Sequence, residues 1–146
     1  MQRMANMHTQ RWQRAKRKVG YGHLYQGRFK SFPVETDDHF YTVVRYVERN
    51  ALRAGLVARA EDWRWGSLHR RVAGPRLPLL GGWPLPEPAD WCAHVNQPQT
   101  EGELAAIRRC VRRGCPYGNS AWADLAAREL GLESTLRPRG RPARDQ

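Results

Sequence analysis

Apolar side chains at Phe40, Val43, Val44 and Val47 recur at the i, i+3, i+4, i+7 spacing of one helix face. The helix this predicts follows Pro33 and the polar turn Glu35-Thr36-Asp37-Asp38, with Asp37 as its N-cap. It ends near Gly55, where a glycine accepts the left-handed C-terminal conformation. At about 100° per residue, Tyr46 and Asn50 stack one above the other about a quarter turn from the centre of the apolar stripe, with His39 further back on the same side. Neither side chain is then needed by the core. A tyrosine four residues before an amide, set among Arg45, Arg49 and Arg53, suits a nucleophile for phosphate chemistry and equally suits an ordinary surface tyrosine.

Elsewhere the pattern is shorter-ranged. Residues 5–18 read as a basic helix carrying Gln10, Arg11, Arg14, Arg17 and Lys18, broken by Gly20 and Gly22. The aromatic run His23-Leu24-Tyr25-Gln26-Gly27-Arg28-Phe29-Lys30-Ser31-Phe32-Pro33-Val34 predicts a turn and then a short strand over residues 29–34. In Glu61-Asp62-Trp63-Arg64-Trp65-Gly66-Ser67-Leu68 the two tryptophans read as core anchors packed back onto the preceding helices. Pro75, Pro78, Gly81, Gly82, Pro84, Pro86, Pro88 and Pro98 predict a largely extended connector, held on the protein by Trp83 and Trp91. Thr100-Glu101-Gly102-Glu103 is a capping box that opens a helix with Leu104, Ile107 and Val111 on one face. Gly114, Pro116 and Gly118 break that helix, and a second runs from Ser120 to Leu130 and closes at Gly131. Two short helices around a turn, with Arg108, Arg109, Arg112 and Arg113 before it, fit a helix-turn-helix and an ordinary helical hairpin equally. The chain thus divides into 1–73, a connector 74–99, a helical region 100–133 and a basic tail 134–146.

Charge sharpens this picture. Of 25 basic residues only Lys16, Lys18 and Lys30 are lysine and the other 22 are arginine, against 14 acidic residues, for a net charge of +11. Arginine predominates where phosphates are gripped bidentately and bases are stacked upon, so nucleic acid is the expected partner. The tail Arg137-Pro138-Arg139-Gly140-Arg141-Pro142 resembles an AT-hook core, which sends two guanidinium groups into a narrow minor groove. A disordered basic tail that adds phosphate affinity is the alternative. No apolar run reaches the length of a membrane span and Met1-Gln2-Arg3-Met4 lacks a signal segment, so a cytoplasmic protein with no membrane partner is expected. Cys92, Cys110 and Cys115 form no close-spaced ligand pairs and are expected to be reduced, structural thiols.

Taken in order, these pieces resemble the REP-associated tyrosine transposases, a branch of the single-strand insertion-sequence transposases. The resembling stretches are His8-Thr9-Gln10-Arg11-Trp12, Gly22-His23-Leu24-Tyr25-Gln26-Gly27-Arg28-Phe29-Lys30, Arg45-Tyr46-Val47-Glu48-Arg49-Asn50, Arg53-Ala54-Gly55-Leu56-Val57 and Glu61-Asp62-Trp63-Arg64-Trp65-Gly66-Ser67, together with the C-terminal helices and the Arg139-Gly140-Arg141-Pro142 tail. The resemblance implies nicking and joining of single-stranded, hairpin-bearing DNA. In it Tyr46 matches the nucleophile that forms a 5′-phosphotyrosine intermediate and releases a 3′-hydroxyl, assisted by a divalent metal, magnesium or manganese. Asn50 matches the third metal ligand, beside a pair of histidines from a His-hydrophobic-His strand. Arg28, Lys30, Arg45, Arg49 and Arg53 become candidate phosphate contacts, joined by Arg108, Arg109, Arg112, Arg113, Arg139 and Arg141.

The histidines depart from that pattern. They are His8, His23, His39, His69 and His94, and no two stand one residue apart on a strand. In the family the pair precedes the stretch with which this chain opens, so the sequence is expected to begin inside the catalytic domain. A mis-called start, a degraded element and a genuine short product are all compatible with the closely spaced Met1, Met4 and Met7. Ala51 also replaces the proline usual in relatives. The fold class implied is α+β, a truncated ferredoxin-like or RNA-recognition-motif-like transposase catalytic domain. This chain would be mainly helical, with a C-terminal helical region and an amino-terminal half poorly stable on its own. The function expected is that of a transposase by descent, inactive alone for want of the histidine pair. A catalytically dead DNA-binding remnant or regulator is the alternative, and a basic RNA-associated structural protein a weaker third. No residue pattern specifies an oligomeric state.

Overall fold

The structure, a computed structural model, describes residues 2–20, 24–25, 30–74 and 81–137. The chain divides into two units, Met1–Ser31 and Phe32–Gln146. In the smaller unit, helix α1 (Gln2–Ala15) ends just before Arg17, which takes a left-handed φ of 52°. The Tyr25 hydroxyl lies 2.6 Å from His8 Nδ1, and the Lys18 ammonium 6.0 Å from the Trp12 ring centre.

The larger unit is helical: α2 (Asp38–Glu48), α3 (Asn50–Arg53), a 3-10 turn (Ala60–Asp62), α4 (Ser67–Val72), α5 (Trp91–Asn96), α6 (Glu101–Arg113), α7 (Ser120–Glu129) and α8 (Glu133–Leu136). The mainly helical character expected above is met, and no described helix is long and apolar enough to cross a membrane. The strand expected over residues 29–34 does not form among its described residues, and Phe29 lies outside them. In its place Val34 makes one parallel bridge to Tyr117: Glu35 N donates to Tyr117 O and Tyr117 N to Pro33 O, each at 2.9 Å. Helix α7 begins three residues after Tyr117, so no partner strand exists to extend the pairing.

Helix α2 forms where its pattern predicts it, capped by Asp37, whose side chain accepts from His39 N at 2.8 Å. Its buried face is another matter. The side chains turned inward are Tyr41, Val44, Arg45, Glu48, Ala51 and Leu52, while Val47, expected in the core, is 59% exposed. The buried face is therefore rotated from the apolar stripe by about one residue, or about 100°. Polar partners cause the rotation. Arg45, only 7% exposed, donates through Nη2 to Gln97 O and Pro98 O, each at 2.8 Å. Arg49 Nη1 donates to Asn96 O at 2.6 Å and Val95 O at 3.3 Å. These are carbonyls at the C-terminal end of α5, which have no partner within that helix. Burial, and repulsion from Arg45 and Arg53, lower the pKa of Arg49.

Between these arginines in sequence stands Glu48, 5% exposed. Its Oε2 accepts from Trp91 Nε1 at 2.7 Å and its Oε1 from Ser67 Oγ at 2.5 Å. Arg71 Nε stands 3.5 Å from Oε1, near enough to neutralise the charge although outside hydrogen-bond geometry. One side chain thereby ties α2 to α4 and α5, over an apolar core of Ala60, Leu68, Trp91 and Val95. Burial of each such large apolar side chain stabilises by about 1.5–3 kcal/mol.

The segment read as a connector contributes to that core. Residues 75–80 lie outside the described residues, but within 81–99 the helix α5 forms in spite of the flanking prolines, with Trp91 and Val95 fully buried. Upstream of it the chain is held chiefly by Trp83, which also meets Phe40, Tyr41 and Arg71. Trp83 stacks edge-on against Trp91 with ring centres 5.0 Å apart, Tyr41 Oη donates to Pro86 O at 2.7 Å, and Glu87 pairs with Arg71. Trp65, by contrast, is no core anchor, being 66% exposed. Asn96 latches the 3-10 turn to α5: its Nδ2 donates to Glu61 Oε2 at 2.8 Å and its Oδ1 accepts from Ala60 N at 3.0 Å.

At the C-terminal end, α6 opens with the predicted capping box between Thr100 and Glu103 and closes at Gly114, whose left-handed φ of 71° favours glycine. Leu104, Ile107 and Cys110 point inward. Gly118 has a different reason for its identity. A Cβ there would lie 2.5 Å from Trp122 Cε3 and 2.6 Å from Glu35 Oε2, so the turn into α7 and the approach to α2 share a space only a hydrogen can fill.

Two stability predictions follow from these contacts. Glu48→Ala, which strands the buried Trp91 Nε1 and leaves Ser67 Oγ without its acceptor, is expected to lower unfolding free energy by about 3 kcal/mol in urea denaturation. Burial raises the Glu61 carboxyl, but Asn96, a backbone amide and Arg59 together pull it down to about 2, from 4.5. A carboxylate depressed in the folded state stabilises above its unfolded pKa, so urea midpoints should fall as pH drops from 4.5 toward 2, less steeply in Asn96→Ala.

Candidate functional site

Turning α2 by one residue places Tyr46 and Asn50 almost opposite the core. They share that outer face with Arg53, at the i, i+4, i+7 spacing of stacked side chains. Helix α3 continues α2 after one irregular residue, Arg49, and Arg53 N still donates to Arg49 O at 2.9 Å, so the three stay in register. Arg53 joins them. Its guanidinium carbon sits 4.2 Å from the Tyr46 ring centre, and its Nη2 donates to Asn50 Oδ1 at 2.8 Å. Tyr46 is half-buried and Asn50 exposed. The arrangement offers a phenol, an amide and a fixed positive charge on one accessible surface.

Metal ligation at Asn50 finds little support in these neighbours. The amide oxygen a hard cation would require is engaged by Arg53, and such a cation takes six or more oxygens at about 2–2.6 Å. Among the described residues, the histidine and carboxylate groups close enough to share an ion are Glu35, Asp37 and His39. They sit at the opposite end of the helix, about 16 Å from Asn50 at 1.5 Å per residue. Their own contacts account for them. Asp37 Oδ1 caps α2 and lies 2.8 Å from His39 Nδ1, while Glu35 accepts from Asn119 N at 2.8 Å and Asn119 Nδ2 at 2.7 Å. Burial raises the Asp37 carboxyl, yet its hydrogen bonds from His39 prevail and the pKa is lowered. His69 Nδ1 meets Glu61 O at 2.7 Å, and His94 lies on Trp91 with ring centres 5.4 Å apart. His23 lies outside the described residues.

The arginines named as phosphate contacts separate into groups. Arg45 and Arg49 hold carbonyls of the fold, and Arg45 is buried away from any ligand. Arg53 belongs to the outer face. Arg108, Arg109 and Arg112 are exposed along α6, whereas Arg113 donates to Thr135 O at 2.5 Å and to Arg137 O. Lys30 is exposed in the smaller unit, and Arg28, Arg139 and Arg141, with the AT-hook-like tail, lie outside the described residues. The turn between α6 and α7 spans residues 114–119 and is pinned to Val34, longer than the three or four residues of a helix-turn-helix, which favours the helical hairpin.

Two cavities adjoin these elements. One, of about 420 Å³, lies between α6, α7 and α8 and is floored by Cys110 and Cys115, whose sulfurs are 3.5 Å apart. All three cysteines are free thiols, and burial with the neighbouring Cys115 pushes Cys110 up to about 12. The other, of about 300 Å³, lies beside α2 and is lined by Val47, Leu56, Trp63 and Trp65 together with the polar Glu48, Asn50 and Ser67. Sequence reasoning missed this notch because it assigned Val47 and both tryptophans to the core. The arginine between the tryptophans was the available signal: Arg64 lies 4.3 Å over the Trp65 ring, a pairing typical of solvent-facing indoles.

No family model, curated protein or solved structure matches this chain.

Tyr46 is not among the side chains packed against the apolar core. Arg53→Ala is accordingly expected to change urea-denaturation stability by no more than about 1 kcal/mol, the scale of an exposed cation–π contact.

Proposed function

We propose that this chain binds single-stranded, hairpin-bearing DNA and descends from the single-strand tyrosine transposases, with Tyr46 in the position of the nucleophile. Its larger unit would correspond to the helical part of a ferredoxin-like catalytic domain of that kind. The observation that carries the reading is the grouping of Tyr46, Asn50 and Arg53 on the face of α2–α3 turned away from the core, in a chain of net charge +11. A tyrosine on such a face can reach a phosphodiester, and a guanidinium beside it supplies charge to the phosphate.

In the reaction this implies, the Tyr46 oxygen attacks phosphorus and the bond to the 3′ oxygen breaks. The strand then remains attached through its 5′-phosphate to the phenol, and the 3′ oxygen leaves as a hydroxyl after taking up a proton. A divalent ion, magnesium or manganese, assists this step in the family. The residues described around Asn50 do not make a site for one, so no step is assigned to it. That mismatch favours a second reading, a DNA-binding protein or regulator that recognises hairpin ends without cutting them.

The experiment uses the full chain and a DNA hairpin with a single-stranded flank. Affinity should fall steeply with salt, with a log–log slope of about −0.7 for each single-strand phosphate neutralised. No covalent adduct should appear with magnesium or manganese present. An adduct abolished in Tyr46→Phe would establish the transposase reading and reject the inactive one, while equal affinity for random duplex would reject recognition of hairpin ends.

A further inference from the structure

We infer that the notch lined by Asn50 and Trp65 is a subsite for one unpaired nucleobase of the bound strand, stacked on Trp65; the inference rests on the DNA-binding reading above. Val47, Leu56 and Trp65 are 59%, 63% and 66% exposed, three large apolar side chains gathered on one rim. The space they border with Trp63, about 300 Å³, is at the small end of ligand sites, which run from about 300 to 1,000 Å³. That suits a single flat ring system better than an extended ligand.

The chemistry of the rim decides between possible occupants. Apolar walls alone would suit any hydrophobic partner, but two of the lining residues here carry a guanidinium from outside the cavity, and the one lining carboxylate, Glu48, is already bonded by Ser67 and Trp91. The Arg64 guanidinium lies 4.3 Å over the Trp65 ring, and Arg53 bonds Asn50. An aliphatic or aromatic protein side chain brings no charge to meet those cations. A nucleotide brings a stackable base and a phosphate together, which is the pairing that single-strand binding surfaces use. Asn50 connects the notch to the candidate nucleophile, since it lines the cavity and accepts from the same Arg53 that covers the Tyr46 ring. A base seated in the notch would therefore carry its backbone toward Tyr46. Polar groups for the edge of the base are present at Asn50 and Ser67. Gly66 packs closely on Trp63: a Cβ there would be 3.2 Å from Trp63 Cδ1.

The test compares two hairpins that differ only in their single-stranded flank, one with normal bases and one abasic, titrated into the full chain. Trp65→Ala should weaken binding of the normal flank about tenfold, the scale of one base–aromatic stack, and Trp65→Phe should retain most of the affinity. For the unaltered chain, removing the bases should cost a similar factor, and removing them should cost Trp65→Ala nothing further. Leu56→Glu, at a second exposed wall, should weaken the normal flank as well. Equal affinity of Trp65→Ala and the unaltered chain for the normal flank would overturn the subsite, as would equal affinity for the two flanks. Those results leave DNA binding intact, whereas failure of the unaltered chain to bind either hairpin would reject the DNA reading together with the subsite.

Discussion

The larger unit depends on the grip of one helix face on the end of another. Arg45 and Arg49 fill the carbonyl terminus of α5, and Glu48, one residue before Arg49, receives the indole N–H of the same short helix. Six residues cannot hold a helix together in water. Helix α5 exists because its last carbonyls and its tryptophan are bonded from outside. In return it supplies Trp91 and Val95 to a core that α2, with its valines turned partly outward, could not build alone. Removing water from a carboxylate and a guanidinium is costly, and the arrangement holds because both Glu48 oxygens, Arg45 Nη2 and Arg49 Nη1 are hydrogen-bonded, although Arg45 Nε and Arg71 Nε are not.

That grip also determines what faces outward. Once Arg45, Glu48 and Arg49 are turned inward, Tyr46, Asn50 and Arg53 are turned to the far side by helical geometry alone. The apolar residues between the two faces, Val47 above all, are left at the margin, where they border the notch with Leu56 and Trp65. Core and candidate site are therefore two results of a single rotation, and neither can be moved without the other.

Much of the secondary structure was legible. The capping box at Thr100, the N-cap at Asp37 and the glycine stops at Gly114 and Gly131 rest on local hydrogen bonding and backbone sterics, which short sequence windows contain. The burial of α2 was not legible, because hydropathy assigns arginine and glutamate to solvent and cannot register carbonyls some 50 residues away. The same blindness made residues 74–99 look like a spacer. Prolines mark where regular structure stops, but the six residues from Trp91 to Asn96 needed distant side chains to become a helix. Tyr46 and Asn50 were singled out correctly as lying off the core, yet Arg53, read as one more phosphate contact, proved to be the residue that joins them.

The rotated helix also inverts the usual relation between residue type and tolerance to change. Along residues 41–52 the charged positions are the ones whose partners are fixed, and the most hydrophobic ones include a valine that is mostly in water. A drift of sequence that conserved hydropathy while exchanging charged residues freely would unmake this unit. One that replaced Val47 with a polar residue and kept Glu48 would leave it standing. For a helix of this kind, the record of accumulated substitutions would trace the buried salt-bridged face and pass over the greasy one.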